Sequence, residues 1–110
     1  MSIYQLSDTF AVASQIRPDE VGDLADTGFT TIICNRPDGE DFGQPTADDI
    51  AAACATRNIA FHFIPVDRSG LTKEMVENFR DAVTQSSGKV LAYCRSGQRS
   101  SMLWQASGSP

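Results

Sequence analysis

The chain has 110 residues, of which 41% are hydrophobic and 21% charged, and fourteen acidic residues outnumber nine Lys and Arg to give a net charge of −5. This length and composition predict a single globular domain over residues 1–110 and exclude a disordered chain. Without a basic cluster, the acidic surface argues against nucleic acid or an anionic membrane as a partner.

Neither a bilayer-spanning apolar stretch nor the basic and apolar regions of a secretory signal are found, so we expect a cytoplasmic protein. The three cysteines, Cys34, Cys54 and Cys94, lack the spacing of a disulfide framework or a zinc site. One histidine, His62, lies among Phe neighbours suited to packing in the core or at an edge. We therefore predict no metal and no other cofactor.

Four short runs rich in β-branched and aromatic residues predict strands. In chain order they cover 10–13, 30–34, 60–66 and 89–94, and the last three are expected to form the buried sheet. Helical patterns alternate with them over about 18–26, 47–57 and 73–85 and from near Gln98. Thr46 and Thr72 are placed to cap the second and third helices.

This alternation predicts a three-layer α/β domain with a mostly parallel central sheet of four to five strands flanked by helices. Ligands of such sheets bind beyond the carboxyl ends of the strands. The residues that follow the predicted strands at this edge are 35–36, 67–68 and 94–100.

The segment 94–100, Cys-Arg-Ser-Gly-Gln-Arg-Ser, joins a strand to the start of a helix. Its backbone N–H groups, the helix N-terminus and Arg99 can together bind an oxyanion. The same positive field stabilises a thiolate at Cys94, and Gly97 gives the loop the backbone freedom to close around the sulfur. We read Cys34 and Cys54 as core or supporting residues because they lack such surroundings.

Residues 91–100, 33–40 and 43–45 together resemble the bacterial beta-lactamase-hydrolase-like family, in its phosphatase-like or sulfur-transferase domain. The resemblance covers nearly the whole chain. It implies a fold similar to that of dual-specificity phosphatases, with Cys94 as nucleophile and Arg99 as anion clamp. Members of this type can be fused to a metallo-hydrolase domain, so it also implies a metallo-hydrolase as a partner to be tested.

The number of residues between Cys94 and Arg99 separates two chemistries. Protein tyrosine phosphatases place five residues there and rhodanese-type sulfurtransferases place four, as this chain does. We therefore favour sulfur transfer through a Cys94 persulfide. The alternative is a phosphatase that forms a phosphocysteine and uses Asp67 as general acid, and a third hypothesis is a non-catalytic oxyanion-binding module.

The expected substrate is a small anion, namely thiosulfate, a persulfide or a phosphate ester. Besides Cys94, Arg99 and Asp67, the candidate contacts are the loop residues Arg95, Ser96, Gly97 and Gln98, together with Ser100 and Arg36. Ser100 is expected to hydrogen-bond the thiolate. For Arg36, substrate binding and a structural pairing with Asp38 or Glu40 are left as equal alternatives.

Overall fold

The computed structural model describes residues 1–110 as one sheet with helices on both faces. The strands are β1 (Ile3–Gln5), β2 (Phe10–Ala13), β3 (Phe29–Cys34), β4 (Ala60–Phe63) and β5 (Lys89–Tyr93). The helices are α1 (Val21–Asp26, preceded by a 3-10 turn at Pro18–Glu20), α2 (Ala47–Thr56), α3 (Lys73–Thr84) and α4 (Gln98–Ala106). None of these helices is long and apolar enough to cross a membrane.

The five strands are ordered β1-β2-β5-β3-β4, and every adjacent pair is parallel except β1 with β2. This confirms the predicted α/β class. It also places β2 inside the sheet beside β5, with all four of its residues buried, so the buried sheet is wider than the three strands expected from the sequence. β1 was not predicted, because its three residues are all exposed and carry no burial pattern.

Successive side chains of each central strand supply two separate cores, as the pleat requires. On one face, Ala11, Ile32 and Leu91 pack with residues of α1 and α2. On the other face, Phe10, Ile33 and Val90 pack with residues of α3 and α4, which include the buried side chains Phe79 and Leu103. The domain therefore has three layers, as the alternation of elements predicts.

β4 ends at Phe63, three residues before the predicted boundary. Pro65 has no N–H to give to the ladder, so regular pairing cannot continue through it. The N–H groups of the residues on either side of Pro65 still bond to the end of β3. Ile64 donates to the Cys34 carbonyl at 2.9 Å, and Val66 donates to the Asn35 carbonyl at 3.0 Å. These bonds hold the segment that leads to Asp67 against the end of β3.

The predicted helix caps are present in α2 and α3. The Thr46 hydroxyl accepts from the Asp49 N–H, and the Asp49 carboxylate accepts in return from the Thr46 N–H, both at 3.1 Å. Thr72 accepts from the Met75 N–H at 3.1 Å. The first predicted helix instead opens with a 3-10 turn at Pro18 before α1 begins.

Candidate active site

The segment after β5 turns tightly around the Cys94 sulfur at the carboxyl edge of the sheet. Cys94 is 1% exposed, and its N–H donates to the Ala13 carbonyl at 3.2 Å, which anchors the loop to β2. Gly97 has a φ of +94°, a left-handed conformation that disfavours any side chain. In this conformation its N–H donates to the Cys94 Sγ at 3.0 Å.

Burial and hydrogen bonding act in opposite directions on the pKa of Cys94. Burial raises it, whereas the backbone N–H groups of Ser100 and Ser96, the Ser100 side chain and the Gly97 N–H lower it, and the balance is a lowered pKa. The Ser100 N–H belongs to the first turn of α4, where backbone donors have no partner within the helix. The loop and helix start thus favour the thiolate form of Cys94.

Arg99, in the same turn of α4, is fixed by three hydrogen bonds. Its Nη1 and Nη2 donate to the two carboxylate oxygens of Glu40 at 2.8 and 2.9 Å, and Nη1 also donates to the Val66 carbonyl at 2.9 Å. Glu40 is the main cause of the raised pKa of Arg99, and the Cys94 sulfur adds to it. Nε–H and the second Nη2–H, which lie on one edge of the guanidinium, stay available for an oxyanion.

Arg36 lies buried just after β3. It is 3% exposed, and its three nitrogens donate to Gln15, Glu40 and Asp41 at 3.0, 2.9 and 2.6 Å. The guanidinium is almost fully buried and all three of its nitrogens are bonded within the protein, which favours the structural alternative. Of the two carboxylates considered as partners, Glu40 is bonded, whereas Asp38 accepts from the N–H of Ala47 at the start of α2.

Arg95 extends from the loop toward solvent. Its side chain is 71% exposed, and its Nε lies 3.5 Å from the Asp41 carboxylate. Ser96 and Gln98 are also exposed, and the Ser96 hydroxyl accepts from the Gln98 N–H at 3.4 Å. Of these three residues, Ser96 contributes its backbone N–H to the sulfur, while the side chains of all three are exposed at the rim of the site.

Ser100 is buried beside the sulfur, but its hydroxyl donates to the Asn35 side-chain oxygen at 2.8 Å. The Ser100 side chain is also among the hydrogen-bonding groups that lower the pKa of Cys94. Asn35 follows β3 at the ligand-binding edge of the sheet. In the sequence, this position after a strand was the only indication that Asn35 belongs to the site. The bond between Glu40 and Arg99 was also missed, since 59 residues separate the two in sequence.

Asp67 lies in the turn after Val66, whose carbonyl accepts from Arg99, so its loop borders the site. The carboxylate is exposed and accepts from both the N–H and the hydroxyl of Ser69, at 2.9 and 2.5 Å. These two bonds lower the pKa of Asp67. A carboxylate held ionised in this way is poorly prepared to donate a proton.

The other two cysteines are buried in the core on the α1 and α2 side of the sheet, as expected. Burial raises the pKa of Cys34, and it raises that of Cys54 to about 11. His62 lies in the edge strand β4 and is half-buried. None of these three side chains is among the groups that stabilise the Cys94 thiolate.

The site thus consists of a buried cysteine of lowered pKa, loop N–H groups and the guanidinium of Arg99, and it lies on a phosphatase-like fold. The chain belongs to the family described as the phosphatase-like domain of the beta-lactamase hydrolase-like protein, whose model matches residues 2–109. The family resemblance found in the sequence is thereby confirmed.

Curated proteins and solved structures agree with this membership. The chain is 35% identical over 107 residues to the beta-lactamase hydrolase-like protein of Xylella fastidiosa (strain Temecula1), covering 97% of the chain and 25% of that protein. A crystal structure of a candidate phosphatase from Neisseria meningitidis Z2491 is 36% identical, covers 100% of this chain and 81% of its own, and has a TM-score of 0.85. The chain spans about a quarter of the length of the curated relatives it matches.

More distant structures share the fold alone. A candidate phosphatase from Shewanella putrefaciens CN-32 is 21% identical with a TM-score of 0.82, over 96% of this chain and 66% of its own. A mutant form of Tk-PTP is 14% identical with a TM-score of 0.72, over 99% and 74%. The family description and the Neisseria structure, rather than these distant folds, favour the phosphatase alternative over the sulfur transfer that the loop spacing suggested.

Proposed function

We propose that this domain is a phosphatase that hydrolyses phosphate monoesters through a covalent intermediate on Cys94. The observation that carries the proposal is the Cys94 sulfur itself, buried, of lowered pKa and bordered by the Arg99 guanidinium, in a chain of a phosphatase-like family. Thiolate is the nucleophilic form of cysteine, and fixed N–H donors stabilise the charge that develops on the transferred group.

The reaction proceeds in two displacements. The Cys94 thiolate attacks phosphorus, an S–P bond forms, and the ester P–O bond breaks with its electron pair on the leaving oxygen. Water then attacks phosphorus, the S–P bond breaks, and inorganic phosphate and the thiolate are released. The free Nε–H and Nη2–H edge of Arg99 is placed to bind two oxygens of the phosphoryl group in both steps.

The state of Asp67 limits the substrate class. The exposed carboxylate accepts two hydrogen bonds from Ser69, which favour its ionised form, and we infer a reaction in which the leaving oxygen departs without a proton from Asp67. Esters whose leaving group is a stable anion, such as aryl phosphates, are therefore the favoured substrates, and alkyl phosphates are poor ones.

Sulfur transfer is the second candidate, and it is supported by the four-residue spacing between Cys94 and Arg99 and by the ionised Asp67. In that reaction the thiolate attacks the outer sulfur of thiosulfate, the S–S bond breaks, and sulfite leaves with the electron pair. The product is a Cys94 persulfide. No proton is needed by the leaving group.

One experiment tests both candidates. Wild-type protein and its Cys94→Ser and Cys54→Ser variants are incubated separately with an aryl phosphate and with thiosulfate, and phosphate release and intact mass are measured. Phosphate release that is lost in Cys94→Ser and kept in Cys54→Ser supports the phosphatase. A gain of one sulfur on Cys94, removed by cyanide, without phosphate release overturns it in favour of sulfur transfer.

A domain that only binds oxyanions gives a third pattern. Neither reagent is turned over, while sulfate or phosphate still binds and Cys94→Ser leaves that binding intact. Such a result overturns both catalytic candidates. A small anion is the partner in all three cases, and a metallo-hydrolase remains a proposed macromolecular partner, to be tested by co-purification.

A further inference from the structure

Strand β1 forms one edge of the sheet, and only its inner side is paired. At one end of the strand, the Ser2 carbonyl accepts from the Ser14 N–H at 3.1 Å. At the other end, the Leu6 N–H donates to the Phe10 carbonyl at 2.9 Å. The even-numbered residues of this segment therefore turn their backbone groups toward β2.

The backbone groups of Ile3 and Gln5 face the other way, because they alternate in direction along an antiparallel strand. Two N–H groups and two carbonyl groups are thus left at the free edge of the sheet. They lie symmetrically on either side of Tyr4. The edge is therefore complementary to a second copy of itself that runs antiparallel to it.

The side chains along this edge are mostly apolar and carry no charge. Four of the seven large hydrophobic side chains exposed in the domain belong to the first six residues, namely Met1, Ile3, Tyr4 and Leu6. Residues 1–7 include no charged side chain, and the terminal ammonium group lies 3.8 Å from the Glu20 carboxylate. In a chain with a net charge of −5, this edge lets two copies approach without bringing like charges together.

The opposite edge of the sheet, β4, is less suited to such a contact. Phe61 and His62 are half-buried there, and Pro65 interrupts regular pairing just after the strand. Asp81 lines the groove beside β4, so two copies that met there would bring carboxylates together. The argument for self-association therefore applies to β1 alone.

We propose that β1 is the interface of a homodimer, in which β1 of one chain pairs antiparallel with β1 of a second copy about a two-fold axis at Tyr4. Ile3 of each chain exchanges two backbone hydrogen bonds with Gln5 of the other, and Tyr4 faces its own counterpart between them. The two five-stranded sheets join into one of ten strands. Tyr4, which is 59% exposed in the single chain, gains an aromatic partner across the axis.

The interface is built on one three-residue strand from each chain, so we expect a weak dimer. It lies outside the candidate active site, and its test does not require turnover. Sedimentation equilibrium from about 10 μM to about 1 mM protein measures the mass in solution. The mass is expected to rise from 11.9 kDa toward twice that value. A mass that stays at one chain throughout overturns the proposal and leaves the edge to a strand of another protein.

A proline at the free edge locates the interface. Gln5→Pro removes an N–H that faces outward, so β1 keeps its bonds to β2 and loses those to the second copy. This variant is expected to sediment as a single chain over the same concentrations. Gln5→Thr keeps the N–H at the same position, and as the control it should associate like wild type. Association of Gln5→Pro as strong as that of wild type contradicts the proposal.

Cross-linking tests the register without the proline variant. In a Cys94→Ser background, Tyr4→Cys places two thiols across the axis, where the Cα atoms are about 4.5 Å apart and within reach of a disulfide. Oxidised glutathione is expected to produce a covalent dimer on a non-reducing gel. The control, Asp8→Cys, is also exposed but lies too far from the axis to reach its counterpart. Equal cross-linking of both variants, or none in Tyr4→Cys, would overturn the pairing.

Discussion

The guanidinium of Arg99 and the carboxylate of Glu40 meet end to end, with N–O distances of 2.8 and 2.9 Å in a parallel pair of bonds. The same carboxylate accepts from Arg36, which is itself buried. Through Glu40, the acidic loop between Pro37 and Pro45 is therefore part of the site. It sets the direction in which Arg99 presents its remaining N–H groups to the Cys94 pocket.

The first prediction concerns the pH dependence of stability. The bonds from Arg99 and Arg36 lower the pKa of Glu40 to about 2. A carboxylate with a depressed pKa in the folded state contributes stability above its unfolded pKa, and this contribution is lost as pH falls from about 5 to 2. Glu40→Gln is therefore expected to be about 1 kcal/mol less stable than wild type at neutral pH. Near pH 2, where Glu40 is protonated, the two proteins are expected to be equally stable.

Urea unfolding at several pH values measures this difference. Arg17 and Asp19 form an exposed pair, so Asp19→Asn is a suitable control and should change stability little at any pH. A Glu40→Gln deficit that is the same at neutral and acidic pH would contradict the ionic origin of the effect.

The second prediction concerns selective alkylation. Cys94 has a lowered pKa, whereas burial raises the pKa of Cys34 and raises that of Cys54 to about 11. Limited iodoacetamide at neutral pH is expected to add a single adduct on Cys94, located by peptide mass mapping, because the thiolate is the reactive form. Cys94→Ser should remain unmodified under the same conditions. Equal labelling of Cys94 and Cys54 would show that the two thiols do not differ in pKa as described.

The third prediction concerns Asp67. The amide oxygen in Asp67→Asn can still accept from Ser69, so the turn is preserved while the charge is removed. Since the carboxylate is already held ionised, we expect hydrolysis of an aryl phosphate to change by less than about threefold. Steady-state rates across pH measure this. A fall of about a hundredfold, confined to phosphate esters, would show that the loop moves and that Asp67 supplies the proton.

The fourth prediction concerns the buried Arg36. Lys cannot reproduce a planar guanidinium that serves Gln15, Glu40 and Asp41 at once. Arg36→Lys is therefore expected to lose about 2 to 3 kcal/mol of unfolding free energy, because a buried ammonium group cannot replace all three hydrogen bonds. Arg17→Lys, at a largely exposed ion pair, is the matched control, and chemical denaturation compares them. Equal small losses in both would refute the structural role of Arg36.

Several features of the domain were predictable because they depend on local sequence. Apolar periodicity and cap residues such as Thr46 and Thr72 located the main helices and the central strands. The fold class followed from their alternation. The segment from Cys94 to Arg99 identified the candidate site, because the proposed nucleophile, the glycine and the arginine lie close together in sequence.

The tertiary structure decided the features that depend on distant residues. β1 has no pattern of its own and is recognisable only through its pairing with β2. Whether Arg36 binds a substrate or supports the loop depended on which acceptors surround it once it is buried. Ser100 is bonded to Asn35 and Arg99 to Glu40, and these partners lie 65 and 59 residues apart in sequence. Hydrogen bonds are directional and short in range, so only the folded chain assigns each donor to its acceptor.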